Sequence, residues 1–249
     1  MTTDRALLLR SIGAQTRAEL ILTLRRGENI LITVIVPPLL LVFFAAFGVP
    51  GLTSGRPVDF LLPGMLALAI IANGMVSLGT ATAYERYYGV LKRLGASPLP
   101  RGGLLAAKAL AILALEVVQV FVLVTIAAAF YGWRPAGAPL VALLVVALGT
   151  IAFAGLGLAM AGALRAEATL AGANALYLFF LFLSGAVLPI ERLPAFLQNI
   201  ARLLPATALA DALRATLTAG AAFPAAAIAV LAAWAVVALT VAARTFKWE

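Results

Sequence analysis

The chain has 249 residues, 64% of them hydrophobic and 11% charged, with a mean hydropathy of +1.08. An ordinary soluble domain is about half apolar and about a quarter charged, so this composition excludes one and points to helices in a lipid bilayer. The net charge of +8 would also suit nucleic acid, but basic residues flanking apolar runs mark the cytoplasmic ends of membrane helices, and no nucleic-acid partner is expected.

Residues 1–29 carry Arg5, Arg10, Arg17, Arg25 and Arg26, with Leu9, Ile12, Thr16, Leu20 and Leu24 at helical spacing. This predicts a cytoplasmic amphipathic segment lying on the inner leaflet; an ordinary soluble helical extension remains the alternative. The apolar run 30–49 is too long and begins too late for a signal peptide. It is read as the first of six spans of a transmembrane domain, 30–249, and Pro37 and Pro38 should kink it. The second span is 60–83, followed by a polar loop, 84–101. The third, 106–130, ends at Tyr131-Gly132-Trp133, an aromatic pair suited to the headgroup level. The fourth covers 139–163, where Gly155/Ala159 and Gly157/Ala161 have the spacing of close helix packing. The fifth covers 169–188. A less apolar stretch, 189–222, leads to the sixth span, 223–243, and a short basic tail. Of the 18 Lys and Arg residues, only Arg56, Arg134, Arg192, Arg202 and Arg214 fall outside in this arrangement, so both ends are placed in the cytoplasm. Lys108 is counted with the loop after the second span. The fold class expected is an all-α, six-helix membrane protein.

Cysteine and histidine are both absent. The chain therefore lacks the commonest metal ligand and general base, and a serine nucleophile would have no histidine to activate it. No phosphate-binding loop of the G-x-x-x-x-G-K-[ST] type occurs. No metal site, bound cofactor or catalytic residue is expected. Glu116 is read as the one ionisable residue clearly inside a span, with Gln119 on the same helix face as its expected partner. Asn73 and Asn174 are the other polar groups at depth. Each is either an interhelical clasp or part of a substrate path. A stand-alone proton-coupled transporter using Glu116, or a membrane scaffold, are the alternatives these residues leave open.

Two irregular segments carry more information. The loop reads Glu85-Arg86, Gly89-x-Leu91-Lys92-Arg93-Leu94, then Ser97-Pro98-Leu99-Pro100-Arg101. Leu91 and Leu94 share one side of a short helix, Lys92 and Arg93 project from it, and Pro98 ends it. The later segment reads Leu183-Ser184-Gly185, Pro189-Ile190-Glu191-x-Leu193-Pro194, Leu204-Pro205-Ala206-Thr207 and Asp211-Ala212-Leu213-Arg214. Its prolines and charges predict two short helices that dip into the outer leaflet and return, or rest on its surface.

Both segments, in this order, resemble those of type-2 ABC transporter permeases of the daunorubicin-resistance-like kind, the membrane subunits of bacterial exporters of drugs, lipids and polysaccharides. Tyr87 and Tyr88 depart from that pattern, which has acidic or polar residues there, and Leu204 replaces a common asparagine. The resemblance implies a bacterial inner-membrane permease, non-catalytic itself. It would pair with a second permease, identical or paralogous, and with two copies of a separate ABC ATP-binding subunit that carries the ATP and Mg. Glu85 to Leu94 would form one coupling helix lodged in that subunit. Phe43, Phe44 and Phe47, with Tyr177, Phe179, Phe180 and Phe182, would be candidates for the apolar wall of the substrate pathway or the dimer seam, and Asn73, Glu116 and Asn174 are the polar candidates for that pathway. Pro189, Glu191, Pro194, Pro205, Asp211 and Arg214 would narrow the outer exit. The apolar lining favours an amphipathic drug or lipid as substrate.

Overall fold

A computed structural model describes residues 2–25, 27–48, 55–96 and 99–245. Among the described residues every regular element is helical. Helix α1 is Thr2–Arg25 and α2 is Gly27–Phe47, which runs through Pro37 and Pro38 although neither has an N–H to donate. A continuous rod, Pro57–Tyr87, follows. It consists of α3 (Pro57–Ile71), a π-helical stretch (Ala72–Ser77) and α4 (Leu78–Tyr87). A short α5 (Val90–Gly95) precedes the long α6 (Arg101–Tyr131). Then come α7 (Pro139–Ala163), α8 (Ala166–Leu183), a 3-10 turn (Ile190–Arg192), α9 (Ala195–Arg202), α10 (Pro205–Leu217) and α11 (Ala225–Thr245).

Five of these helices are long and apolar enough to cross a membrane: the rod, α6, α7, α8 and α11. The chain is a multi-pass membrane protein. The first expected span is represented by the shorter apolar stretch Ile35–Phe47 within α2.

The rod is the axis of the bundle. Of its apolar window 83% is buried, against 28% in α6 and 22% in α8 and α11. A helix apolar on every side is stable where neighbours surround it, and the rod is covered by α2, α6, α7 and α10. The outer helices turn their remaining apolar surface outward, as at Phe121, Leu144, Phe182 and Val236. Between helices in lipid there is little hydrophobic drive, so close van der Waals contact has to hold them together. The small residues of α7 supply it. A Cβ on Gly157 would stand 2.6 Å from the Gly74 carbonyl oxygen, so only glycine lets α7 cross the rod at the π-helical stretch.

The chain between α8 and α11 holds two helices, as its proline spacing predicts. Pro194 caps α9 and Pro205 opens α10, positions where a missing N–H costs nothing. Helix α9 buries only Ala201. Helix α10 is buried along most of its length against α3, α7 and α11.

Candidate coupling and transport site

The loop expected to form one helix from Glu85 to Leu94 is instead an elbow. Helix α4 continues to Tyr87, the chain turns at Tyr88 and Gly89, and α5 begins at Val90. Gly89 has φ +72°, a left-handed conformation that a side chain would penalise, and this breaks the expected single helix in two. Leu91 is buried with Leu99 and Leu104, and Ile12 of α1 and Leu94 pack on the same cluster. Lys92 and Arg93 face outward, as do Tyr87 and Tyr88, which are 65% and 67% exposed. Pro98 lies outside the described residues.

Glu85 and Arg86, the first two residues of the motif, point the other way. Arg86 donates from Nη1 to the Gly162 carbonyl at 2.8 Å and from Nη2 to the Leu164 carbonyl. These carbonyls lie at and just beyond the C-terminus of α7, where helical partners run out and a cation is favoured. Glu85 is only 8% exposed and receives the Lys108 ammonium at 2.6 Å. The same ammonium stands 2.8 Å from Glu19 Oε1 on α1, and Gln15 Nε2 donates to that oxygen at 2.9 Å. Lys108 is thus no loop residue: it sits within α6 with its side chain wholly out of solvent. The sequence reading missed both Lys108 as a buried charge and Glu19 as its partner. The available signal was a lone charge set among Ala106, Ala107, Ala109 and Leu110, on a helix continuous with the apolar run that follows.

Above the elbow lies a cavity of about 720 Å³. It is walled by Val36 and Pro37 of α2, Ala72, Val76 and Thr80 of the rod, and Leu170, Asn174 and Tyr177 of α8, with Tyr84, Glu85, Tyr88 and Val90 at the elbow end. A mostly apolar chamber of this size with a few polar groups fits a drug-sized molecule. Of the residues expected along a pathway, Asn174 and Tyr177 line it.

The other expected pathway residues lie elsewhere. Asn73, in the π-helical stretch, donates from Nδ2 to Gln119 Oε1 at 2.7 Å, an interhelical clasp. Glu116 accepts from the Thr150 hydroxyl of α7 and is 1% exposed. Phe180 is buried with its ring edge-on to Phe153, centroids 5.9 Å apart. Phe43 is half exposed and packs with Phe44 and Phe47.

At the far end, Arg214 holds three elements together. It pairs with Asp211 at 3.0 Å, donates to the Gly185 carbonyl at 2.9 Å, and lies 4.3 Å from the centroid of the Phe60 ring. Pro189 precedes the 3-10 turn and Glu191 is exposed on it. Gln198 donates back to the Leu193 carbonyl at 2.9 Å, closing this turn onto α9.

None of the curated proteins matches the chain. A family model described as ABC-2 type transporter matches residues 10–218, a stretch that contains α2 to α10 entire and with them the elbow, the cavity and the Arg214 cluster. The resemblance carried by the two irregular segments is therefore borne out: the chain belongs to the ABC-2 type transporter family and is a membrane permease of an ABC transporter.

Proposed function

We propose that this chain is the membrane subunit of an ATP-driven exporter, with six spans and both ends in the cytoplasm. It would work as a pair of permeases, identical or paralogous, in a bacterial inner membrane and in contact with its lipids. Two copies of a separate ATP-binding subunit, holding ATP and Mg, would hydrolyse the nucleotide. This chain itself would be non-catalytic.

The observation that carries the reading is the position of the elbow. It forms the foot of the 720 Å³ cavity and is continuous with the rod at the centre of the bundle. A push on α5 would travel through Tyr87 into α4 and up the rod, because a helix resists bending while a loop absorbs displacement. Exposed Tyr87, Tyr88, Lys92 and Arg93 would form the docking face. Glu85 and Arg86 would fix the elbow to α6 and α7 rather than touch the partner. Leu91 and Leu94 would seat α5 on α1 and α6.

The two helices on either side of the cavity, α2 and α8, also expose Phe43, Phe47, Phe179 and Phe182. A second permease against these faces would close the cavity into a pathway. Its apolar wall, interrupted by Thr80, Asn174 and Tyr177, favours an amphipathic drug or lipid as substrate. Residues 189–217, pinned by Asp211 and Arg214, would form a re-entrant gate at the outer exit.

The docking face is tested by reversing its charge. Tagged wild-type protein and K92E/R93E are purified in mild detergent after co-expression with the ATP-binding subunit. The wild type should bring ATPase activity with it, and the double variant should lose most of it while keeping its own thermal stability. Equal recovery of the ATPase by both would remove α5 from the docking face. Recovery by neither would remove the exporter reading.

A further inference from the structure

Lys108 carries a charge on a side chain wholly out of solvent, and it joins three elements. Its ammonium bridges Glu19 of α1 and Glu85 of α4, at 2.8 and 2.6 Å, from a position inside α6. An ammonium taken out of water is tolerated only where carboxylates and hydrogen bonds replace its hydration, and two carboxylates do so here. The arrangement also fixes a register. Helix α1 packs chiefly along α6, and apolar surfaces of this kind can slide past one another at small cost. An ion bridge on a side chain with no freedom to follow cannot. Gln15, one turn before Glu19, donates to Glu19 Oε1 and narrows its position further.

Glu85 is two residues from the end of α4, so the bridge grips the chain just before the elbow bends. The next residue, Arg86, grips the end of α7. Consecutive side chains therefore tie the elbow to α1 and α6 on one side and to α7 on the other. Glu85 also lines the cavity, so the bridged carboxylate borders the proposed substrate space.

We propose that Lys108 is a positioning residue of the transport cycle: through Glu19 and Glu85 it makes α1 and the elbow one mechanical unit. Displacement of the elbow then carries α1 with it, and α1 in turn limits how far the elbow swings. This deepens the exporter reading and rests on it for the direction of the push, but the link between α1 and the elbow is a property of this chain alone.

The chain has no cysteine, so paired spin labels can be introduced without background. Ala18→Cys on α1 and Ala96→Cys at the end of α5 are both exposed and report the distance between α1 and the elbow by pulsed EPR in nanodiscs. Lys108→Arg keeps the bridging charge. Glu19→Leu cuts the tie to α1 while leaving Lys108 balanced by Glu85. The native chain and Lys108→Arg should give one narrow distance, and Glu19→Leu a distribution several times broader. With the ATP-binding subunit bound in proteoliposomes, the amount of a fluorescent phospholipid analogue moved per ATP should fall on the order of tenfold in Glu19→Leu and stay near the native value in Lys108→Arg. A merely structural role would shift the melting temperature and leave both readouts in place.

Should Glu19→Leu fold poorly, E19Q/E85Q/K108M removes all three charges at nearly constant volume, leaves no buried charge unpaired, and is read in the same way. A distance as narrow as the native one, with coupling retained, overturns the proposal. If no ATP-binding subunit associates with the native chain, the exporter reading fails, and the spin-label distances still decide whether the bridge holds α1 to the elbow.

Discussion

Three residues decide the geometry of the elbow, each by a different physical means. Gly89 allows the reversal between α4 and α5 because it lacks a Cβ at positive φ. Arg86 uses its fork to satisfy carbonyls that α7 leaves open at its end. Glu85 accepts the Lys108 ammonium and so turns away from the exposed face. Gly89→Ala meets no neighbouring atom within 4 Å, so its cost is backbone strain alone, about 1–2 kcal/mol. The expected outcome is a modest drop in thermal stability, measured in detergent, with a larger loss of transport per ATP if the elbow transmits motion. A normal transport rate in Gly89→Ala would mean that the bend itself does not matter. The residue identities at the elbow were legible in the sequence, down to the outward Lys92 and Arg93. The inward turn of Glu85 was not, because it depends on Glu19 and Lys108, which are far from it in the chain and meet it only in the folded bundle.

At the scale of elements, the helices follow from hydropathy. Each expected span from the second to the sixth overlaps one of the five long apolar helices; the fourth coincides with α7, and the others differ at their ends by a few residues. The shifts go both ways: α6 extends beyond its expected start, whereas α8 stops at Leu183, short of the expected 188, just before Gly185 takes a positive φ. Helix α6 begins at Arg101, five residues before the span expected there, and Lys108 lies about two turns inside it rather than in the loop with which it was counted. The π-helical stretch at Ala72–Ser77 left no signal in the sequence. It sits where Gly157 meets Gly74 and where Asn73 reaches Gln119, a place where tertiary contact rather than propensity sets the backbone. Gly157→Val tests this crossing. Its added carbons would meet the Gly74 and Met75 carbonyl oxygens at under 3 Å, so α7 would have to move off the rod. A loss of about 1–3 kcal/mol is expected, as for overpacked cores, seen as a lower melting temperature of the detergent-solubilised protein. Unchanged stability would show that α7 and the rod are free to separate at this point.

For the whole molecule, the rod surrounded by less buried helices gives a body whose centre is stiff and whose flanks are apolar. The cavity beside the rod and the elbow at its foot are the two features that a permease driven from one end requires. Composition announced the membrane location, and two irregular segments announced the family. The cavity was only partly legible. Asn174 and Tyr177 were identified from the fifth expected span, whereas Tyr88 and Val90 at its elbow end depend on the bend at Gly89. Glu116 and Asn73 were read as polar groups at depth, but whether such groups face a cavity or a neighbouring helix depends on helix rotation, which a single sequence leaves undetermined. Here Asn73 meets Gln119 and Glu116 meets Thr150.

The central claim, that an ATP-binding subunit docks on the elbow, is tested most directly by site-specific photo-crosslinking from Tyr87 in native membranes. Tyr87 is 65% exposed, so a photoreactive side chain can replace it without disturbing the packing behind α4. The account predicts a covalent adduct with a subunit that hydrolyses ATP, with a yield that changes when nucleotide is added or trapped. Adducts with lipid alone, or none with an ATP-hydrolysing protein while the tagged chain remains folded, would contradict it.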